Sequence, residues 1–526
     1  MSSTVSTSVC LLRESRTCDP EQQGEAIRLM QDKLLFIAPH EIYLKEYCSA
    51  SILSQLLKTW SVTIAVPEGM QVPAAVSGLA SIVRFENYSE DNETFSDTHR
   101  WITLINRKKS SSFLFQSKRV FPTFWITFLR GVRNTRSNFH REKFGGIRSR
   151  GGTPALSPGR YSAWVLIWLW DLLRTLAHSF RAQALRFVAL AKVSSRSFRE
   201  ELLHRSRNLP GRSQIEPIVV AEEPRLLIVP SRGHEIVTSD VISAGRRQKV
   251  PSLMLVDNWD NLSSKTVLSH LPDYMGTWGP QSSSHAVDIQ GMAPDRVFSV
   301  GAPRFDEHQS SEPCSLAEGA AGKNFLLYCG TSLYSREDKV LDVIDQTLHE
   351  AGIDLPVLYR PHPARAGDFG PGPSNRFGNL HLASGSTSNQ AHNLYPSPLS
   401  GKASLATLVR QSLFCLGGLT SVLIETGFHR KRYIALAHRE ILNYKSPRKM
   451  FQSFIHFQRI EELDHVTVCK SLRSLPALIE SHLANPEVPL GDPDDSTALD
   501  YFYGPPPTSS YATRLGNLVG QLSKII

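Results

Sequence analysis

Two motifs in the second half of the chain place polar side chains directly after apolar segments that look like buried strands. In the first, VLYRPHP (357–363), Arg360 and His362 are each followed by a proline, which restricts the preceding residue to an extended conformation. An arginine held in this way can bind a diphosphate through two hydrogen bonds, and a histidine can donate a hydrogen bond or a proton. The alternative is a structural pairing of Arg360 with a carboxylate.

The second motif lies in residues 412–431, SLFCLGGLTSVLIETGFHRK, and contains five residues with binding chemistry: Gly417, Gly418, Thr420, Ser421 and Glu425. Paired glycines let the backbone approach a ligand closely, and the N–H groups that open the following helix suit a phosphate. The two hydroxyls would add donors, and the glutamate, one turn into the helix, could contact a ribose or sugar hydroxyl. The alternative is a tight strand-to-helix turn with a threonine N-cap.

Polar residues also follow an apolar strand in the first half of the chain, within LVDNWDNLSSKT (255–266). Asp257 and Asp260 are candidate general bases there, Asn261 is a further polar residue of the same loop, and Lys265 could pair with a phosphate or carboxylate. Asp260 is the better candidate, although spacing alone does not separate it from Asp257. An Asx-rich turn that caps the next helix would produce the same pattern.

Two further segments carry candidate residues. In APHEIY (38–43), His40 could act as a general base oriented by Glu41, and the alternative is an exposed loop histidine. In GAPRFD (301–306), Gly301 and Arg304 should lie beside the connection between two domains. Arg304 could bind a phosphate or simply pair with Asp306.

Apolar strand-like segments alternate with amphipathic helical segments, which predicts parallel sheets covered by helices. We expect an α/β protein with two Rossmann-like domains facing across a cleft, with a basic helical insertion in the first. The expected boundaries are a disordered tail at 1–30, a first domain at 31–306, a linker at 307–323 and a second domain at 324–526. The last helix, within 511–526, is expected to cross back to the first domain.

Composition excludes several classes of protein. The 526 residues include seven scattered cysteines without CxxC pairs, which predicts a reducing compartment and no structural metal. The polar N-terminus lacks the apolar core of a secretory signal. We therefore expect a cytoplasmic protein, at most peripheral on the inner face of the cell membrane.

The net charge of +9 is concentrated in one segment. Residues 100–212 contain 23 Lys and Arg against 4 Asp and Glu, a net +19, which leaves −10 for the rest of the chain. Within this segment, residues 164–188 predict an amphipathic helix that could lie on an anionic membrane or pack on the first sheet. No nucleic-acid-binding module is recognisable, so specific nucleic-acid binding is not expected.

Several of these motifs together resemble bacterial glycosyltransferases of the GT-B fold. They are the RPHP strand end, the Gly-Gly-x-Thr-Ser element with its glutamate, the VGAPRFD stretch (300–306), and the helix that follows DYFY (500–503). The closest similarity is to surface-carbohydrate transferases related to CDP-glycerol glycerophosphotransferases, capsular polysaccharide transferases and UDP-N-acetylglucosamine 2-epimerases. The resemblance covers residues 34–90 and 224–526, and WDNLSSK (259–265) is similar to a segment of uncharacterised bacterial members.

The resemblance implies a metal-independent enzyme without a cofactor, whose second domain binds a nucleotide-activated donor and whose first binds a glycan or lipid-linked acceptor. A sugar or polyol phosphate would be transferred, and the alternatives are an epimerase on the same fold or a membrane-associated adaptor. The resemblance assigns phosphate binding to Arg360 and His362, diphosphate contacts to Thr420 and Ser421, and a position near the donor to Glu425. It does not choose the base among His40, Asp257 and Asp260.

Overall fold

The computed structural model describes residues 32–88, 91–132, 158–265, 267–309, 324–331, 336–362, 376–383, 404–440, 443, 446–486, 488, 498–504 and 509–526. The predicted tail at 1–30 and most of the predicted linker at 307–323 lie outside these residues. Residues 133–157 of the predicted insertion also lie outside them.

The first domain is built on a seven-stranded parallel sheet in the order β3-β2-β1-β4-β5-β6-β7. Its strands are β1 (Asp32–Ile37), β2 (Trp60–Pro67), β3 (Ser81–Phe85), β4 (Leu226–Ser231), β5 (Ser252–Val256), β6 (Tyr274–Thr277) and β7 (Val297–Ser299). Along β1, Leu34 and Phe36 pack into one core while Leu35 and Ile37 pack into a second core on the opposite face. This alternation explains why the central strands are almost continuously apolar.

The second domain has a six-stranded parallel sheet in the order β10-β9-β8-β11-β12-β13. Its strands are β8 (Leu326–Cys329), β9 (Val357–Arg360), β10 (Leu380–Leu382), β11 (Cys415–Gly417), β12 (Tyr433–Leu436) and β13 (Val466–Cys469). Leu326 and Leu327 face different cores, as adjacent residues of a doubly covered strand should. The prediction of two Rossmann-like parallel-sheet domains is confirmed.

Helices cover both sheets. In the first domain they are α1 (Glu41–Tyr47), α2 (Ala50–Leu56), α3 (Ala74–Ser77), α4 (Asn92–Ile105), α5 (Ser111–Val120), α6 (Pro158–Ser194), α7 (Arg196–Arg207), α8 (Glu216–Glu222), α9 (Ile236–Gln248), α10 (Pro280–His285) and α11 (Arg304–Gln309). Residues 124–132 are also helical. In the second half they are α12 (Glu337–Glu350), α13 (Leu405–Gln411), α14 (Val422–Phe428), α15 (Pro447–Ser453), α16 (Leu475–Ala484), α17 (Asp500–Tyr503) and α18 (Tyr511–Leu522).

The insertion between β3 and β4 folds as a group of helices around α6. A Cβ atom on Gly131 would lie 2.2 Å from the Thr175 side chain, so the helix at 124–132 contacts α6 closely. Arg186 of α6 is buried and donates to the backbone oxygens of Ser117 (3.1 Å) and Phe121 (2.5 Å) at the end of α5. The insertion helices therefore supply the packing partners of α6.

This packing corrects two expectations about the predicted helix at 164–188. The helix is longer, because it extends from Pro158 to Ser194. Its buried face packs on the other insertion helices, so the predicted alternative of packing on the first sheet is wrong, and Leu169, Leu173 and Phe180 are exposed. The 3.6-residue period indicates that α6 is a helix, but it does not indicate which face the rest of the protein covers.

The two domains are joined by direct contacts. Helix α18 packs against α2, and its Leu515 and Val519 belong to the same core as β1 and β2. Trp259 and Trp278 of the first domain are buried in a core shared with second-domain residues such as Phe457. The insertion also contacts the second domain, since Ser111 and Ser112 of α5 hydrogen-bond to the backbone at Ser453 and Ile455.

Candidate functional site

The first part of the candidate site lies where the strand order of the first sheet reverses, between β1 and β4. Such a point leaves a crevice at the carboxyl edge of the sheet. His40 follows β1, and its Nε2 atom lies 3.7 Å from Oε1 of Glu235, which follows β4. Glu235 also accepts hydrogen bonds from the Tyr43 hydroxyl (2.7 Å) and the Ser231 hydroxyl (2.7 Å). His40 is 53% exposed and Glu235 is 12% exposed, so a solvent-accessible imidazole lies beside an oriented carboxylate.

Asp257 belongs to the same edge but is held between two arginines. Arg232 donates to its Oδ2 atom (3.2 Å) and Arg304 to its Oδ1 atom (3.4 Å). Arg304 also donates to Glu46 (3.3 Å). Burial by itself would lower the pKa of Arg304, but Glu46 and Asp257 outweigh it and raise that pKa. Asp257 is therefore an ion-pair partner of two arginines, whereas the His40 imidazole is half exposed to solvent.

Asp260 lies in a different group, formed by the π-helical turn Asn261–Lys265 and the second domain. Its carboxylate is 3.4 Å from the Lys265 ammonium and accepts a hydrogen bond from Ser264 (3.2 Å). Burial alone would raise the pKa of Asp260, but Lys265 and His456 reverse the shift and lower it. Asn261 is buried beside this carboxylate.

His456 marks where this group meets the second domain. Its Nδ1 atom is 3.2 Å from the Ser263 hydroxyl, and its backbone oxygen accepts from Gln281 (3.1 Å). Burial lowers the pKa of His456 to about 3. The polar residues of the loop at 257–265 thus lie in two different places. Asp257 lies at the edge of the first sheet with His40, whereas Asp260 and Lys265 lie where the two domains contact each other.

Gly301 lies under the C-terminal helix. Its φ of +79° is in the left-handed region, and a Cβ atom there would lie 2.9 Å from the Arg514 guanidinium. Arg514 donates to the backbone oxygen of Val300 (2.9 Å). A glycine is required here because the backbone conformation and the arginine both disfavour a side chain.

The second part of the candidate site lies at the carboxyl edge of the second sheet. Strand β8 lies between β9 and β11, where the strand order of this sheet reverses. The strands are held together to their ends, because Gly330 N donates to the Arg360 oxygen (2.8 Å) and Gly418 N to the Cys329 oxygen (3.3 Å). Arg360 and His362 are both partly buried at this edge. The RPHP residues and the Gly-Gly-x-Thr-Ser element thus lie at the same edge, on opposite sides of β8.

The glycine pair is required by the sheet itself. A Cβ atom on Gly417 would lie 2.1 Å from the Cys329 oxygen, and one on Gly418 would lie 2.7 Å from the Thr331 side chain. The sequence predicts that the glycine pair allows the backbone to approach a ligand. In the structure, the close approach is to β8 and the residues after it. Beside the pair, the Thr420 hydroxyl is buried close to the phenol of Tyr433, which donates to the Gly418 oxygen (2.7 Å).

Glu425 of α14 is buried and pairs with a histidine from α11. It accepts a hydrogen bond from Ser421 (3.0 Å), and its Oε2 atom is 3.3 Å from Nε2 of His308. His308 Nδ1 is in turn 2.8 Å from His429 Nε2. Burial alone would raise the pKa of Glu425, but His308 and Arg304 lower it. The carboxylate therefore connects α14 to α11, and its predicted role near a donor would require it to exchange the His308 contact for a ligand.

The edge of the second sheet also encloses a cavity of about 10 Å³, lined by Thr331, Gly418, Leu419 and His438 among others. This volume accommodates about one water molecule. Within the described residues, no group of three or more His, Cys, Asp or Glu side chains is arranged to hold a metal ion. No helix among them is long and apolar enough to span a bilayer.

Sequence reasoning missed several residues of the site, including Glu46, Arg232, Glu235 and His308. A signal for two of them was present, because SRGHE (231–235) directly follows the apolar segment LLIVP. The same pattern, polar residues directly after an apolar strand, identifies the candidate residues of the other motifs. Glu46 and His308 carried no comparable signal, since they join the site only through contacts between α1, α11 and α14.

No family model matches this chain, and no curated protein matches it. It is similar to the solved structure of a UDP-N-acetylglucosamine 2-epimerase from Rickettsia bellii (11% identity, 94% of this chain, 96% of that chain, TM-score 0.43). It is also similar to the Neisseria meningitidis epimerase bound to UDP-GlcNAc (8% identity, 94% of this chain, all of that chain, TM-score 0.42). The calicheamicin glycosyltransferase CalG4 is a further example (12% identity, 94% of this chain, 99% of that chain, TM-score 0.39). At TM-scores below 0.5, we take the chemistry of the site from this chain's own residues.

Proposed function

We propose that the protein is a nucleotide-sugar-processing enzyme that transfers a sugar or polyol phosphate from a nucleotide-activated donor to a hydroxyl group. The observation that carries this proposal is the position of two sheet edges with complementary chemistry. His40 and Glu235 lie at the reversal point of one sheet, and Arg360, His362 and Thr420 lie at that of the other. Helix α11 links the edges, since Arg304 contacts Asp257 while His308 of the same helix contacts Glu425.

The residues at these edges suit the charges that develop during transfer. The departing nucleotide, a nucleoside diphosphate after sugar transfer or a monophosphate after polyol phosphate transfer, gains negative charge that Arg360, His362 and the Thr420 hydroxyl would stabilise. His40 would accept the proton of the attacking hydroxyl, with Glu235 stabilising the imidazolium. Asp257 and its two arginines would keep the edge of the first sheet in position, because each carboxylate oxygen is held by a different guanidinium.

Epimerisation of the sugar is the second candidate function. It requires groups that remove and return a proton, and His40 and Glu235 are two such groups 3.7 Å apart. Both reactions would begin with the same donor bound at the second sheet. They differ in their products, because only transfer consumes an acceptor.

Thermal shift with UDP-, CDP-, GDP- and CMP-linked donors tests the binding step. We expect one nucleotide class to raise the Tm by several degrees, and Arg360→Ala to abolish that rise. Arg376→Ala is the matched control, since this exposed arginine precedes β10 at the opposite edge of the same sheet. A panel in which no donor changes the Tm, or in which both variants respond like the wild type, would contradict the proposal.

Product analysis with the donor found in this way then separates the two reactions. A new glycoside or phosphodiester that forms only when an acceptor is added would establish transfer. Conversion of the donor to its epimer without an acceptor would establish epimerisation. His40→Gln should abolish either product while leaving the donor-induced rise in Tm intact.

A further inference from the structure

Helix α6 has one face that packs on the other insertion helices and one apolar face that the structure leaves exposed. The packed face includes Thr175, Arg186, Ala189 and Val193, all of which are buried. At 100° per residue, Leu166, Trp170, Leu173, Phe180 and Val188 lie on the opposite side of the helix, and each of them is more than half exposed. An amphipathic helix of a soluble domain normally presents charged residues there.

The exposed apolar residues are concentrated on this part of the molecule. Ten of the fourteen exposed large apolar side chains in the described residues lie on α6 or on the adjacent helix at 124–132: Trp125, Leu166, Ile167, Leu169, Trp170, Leu173, Phe180, Leu185, Phe187 and Val188. Trp125 lies near Phe180, because Phe124 contacts that ring at a centroid distance of 4.9 Å. We call these ten residues the apolar face.

A row of basic residues runs along the apolar face, between Trp170 and Val188 on one side and Ile167 and Leu185 on the other. Arg174, Arg181 and Lys192 are exposed and fall within about 20° of one another around the helix axis. In the whole of α6 the sequence has a single acidic residue, Asp171. The charged side chains in this row are therefore all positive.

We propose that the apolar face docks on an anionic lipid bilayer surface, with α6 lying in the plane of the membrane. The aliphatic and aromatic side chains would enter the boundary between headgroups and acyl chains, where tryptophans are favoured. Arg174, Arg181 and Lys192 would reach the anionic headgroups beside them. This docking surface is independent of the reaction at the sheet edges, and would hold the enzyme where a lipid-linked acceptor is found.

Charge complementarity favours a membrane over the other two possible partners. A second copy pairing through this face would bring the same basic rows together, and like charges at short range repel. Nucleic acid would match the basic row, but the exposed leucines and valine have no favourable contact with a phosphate backbone. An anionic bilayer satisfies both the apolar side chains and the charges that border them.

Sedimentation of the full chain with lipid vesicles, without nucleotide, tests the proposal. Vesicles of phosphatidylcholine mixed with phosphatidylglycerol should bind the protein, and vesicles of phosphatidylcholine alone should bind it at least tenfold less. Trp170→Ser/Leu173→Ser and Arg174→Glu/Arg181→Glu should each weaken binding at least tenfold, since one basic residue near an anionic surface contributes about fivefold. Added salt should weaken wild-type binding in the same direction, which provides a test that needs no variant.

Matched controls alter residues of the same type elsewhere on the surface. Val220→Ser/Ile525→Ser removes two exposed apolar side chains outside the apolar face, and Lys58→Glu/Lys339→Glu reverses two exposed charges outside the basic row. Both should bind vesicles like the wild type, and all four variants should keep the wild-type Tm because the altered side chains are exposed. Equal binding by wild type and both docking variants would overturn the proposal. It would also be overturned if the apolar variant turned a dimer into a monomer, or if the wild type bound RNA but no vesicle.

Discussion

At the edge of the first sheet the candidate residues are charged side chains, whereas at the edge of the second they are chiefly glycines, hydroxyl residues and one arginine. His40 is half exposed beside Glu235, and Asp257 is fixed by Arg232 and Arg304. At the second edge Glu425 and His308 are buried against each other, and His308 contacts the partly buried His429. The two edges have the same topology, so the proposed division between proton transfer and phosphate binding depends on the side chains rather than on the fold.

The sharpest test of this division replaces the exposed histidine of the first edge. His40→Gln should lower kcat by about 10²- to 10⁴-fold, as expected for loss of a general base, and leave the Tm unchanged because the side chain is 53% exposed. Steady-state kinetics and a melting curve measure the two effects. Asp257→Asn is the comparison: if it abolished turnover while His40→Gln kept it, the base would be the aspartate.

The second test concerns the ion pairs that hold the first edge together. Arg304→Met should destabilise the protein by about 3 kcal/mol, because it removes one of the two guanidinium groups that hold the buried Asp257 carboxylate, together with the contact to Glu46. Urea unfolding measures the change. Arg196→Met removes an 86% exposed arginine that pairs with Glu200 and should cost less than about 1 kcal/mol. Equal losses for the two variants would mean that Arg304 contributes no more than a surface pair.

The third test concerns the backbone contact that shapes the second edge. Gly417→Ala should destabilise the protein by about 2 kcal/mol, because the new Cβ would meet the rigid Cys329 oxygen at 2.1 Å. Gly520→Ala is the control, since no atom lies within 4 Å of a Cβ there and the residue is within α18. That substitution should stabilise by up to about 1 kcal/mol through helix propensity. A Gly417→Ala variant as stable as the wild type would show that the strands at this edge can separate.

The smallest expected effect is a pH dependence of stability at the second edge. Burial, His308 and the nearby Arg410 and Lys431 lower the pKa of His429 from 6.5 to about 4. The unfolded chain therefore binds a proton below pH 6.5 that the folded chain does not bind until about pH 4. The stabilising contribution is complete above pH 6.5 and is lost as the pH falls through this interval.

Urea unfolding at pH 7 and pH 5 tests this contribution. His429→Gln should reduce the loss of stability between the two pH values by about 1 to 2 kcal/mol. His204→Gln, at an exposed position on α7, should leave it unchanged. An identical loss in the wild type and both variants would place the responsible groups elsewhere in the chain.

The strands that were recognised from the sequence are the continuously apolar ones, such as β1, β4 and β5, because burial on both faces requires apolar residues at every position. The short strand β13 was not singled out. It has only four residues and two of them are partly exposed, so neither an apolar run nor an alternation marks it. Most candidate residues can also be predicted from the strands, since the polar side chains at the carboxyl edge of a sheet directly follow its strands in the chain.

The sequence by itself determined the alternation of strands and helices, the residues that follow each strand, and the concentration of positive charge in residues 100–212. These are local properties, fixed by side-chain type and period. Only the tertiary structure decided that Asp257 is held by two arginines, that Asp260 belongs to the contact between domains, and that Glu425 is paired with His308. It also decided which face of α6 is covered by the other insertion helices. Each of these depends on groups distant in the chain, and neither spacing nor periodicity specifies such partners.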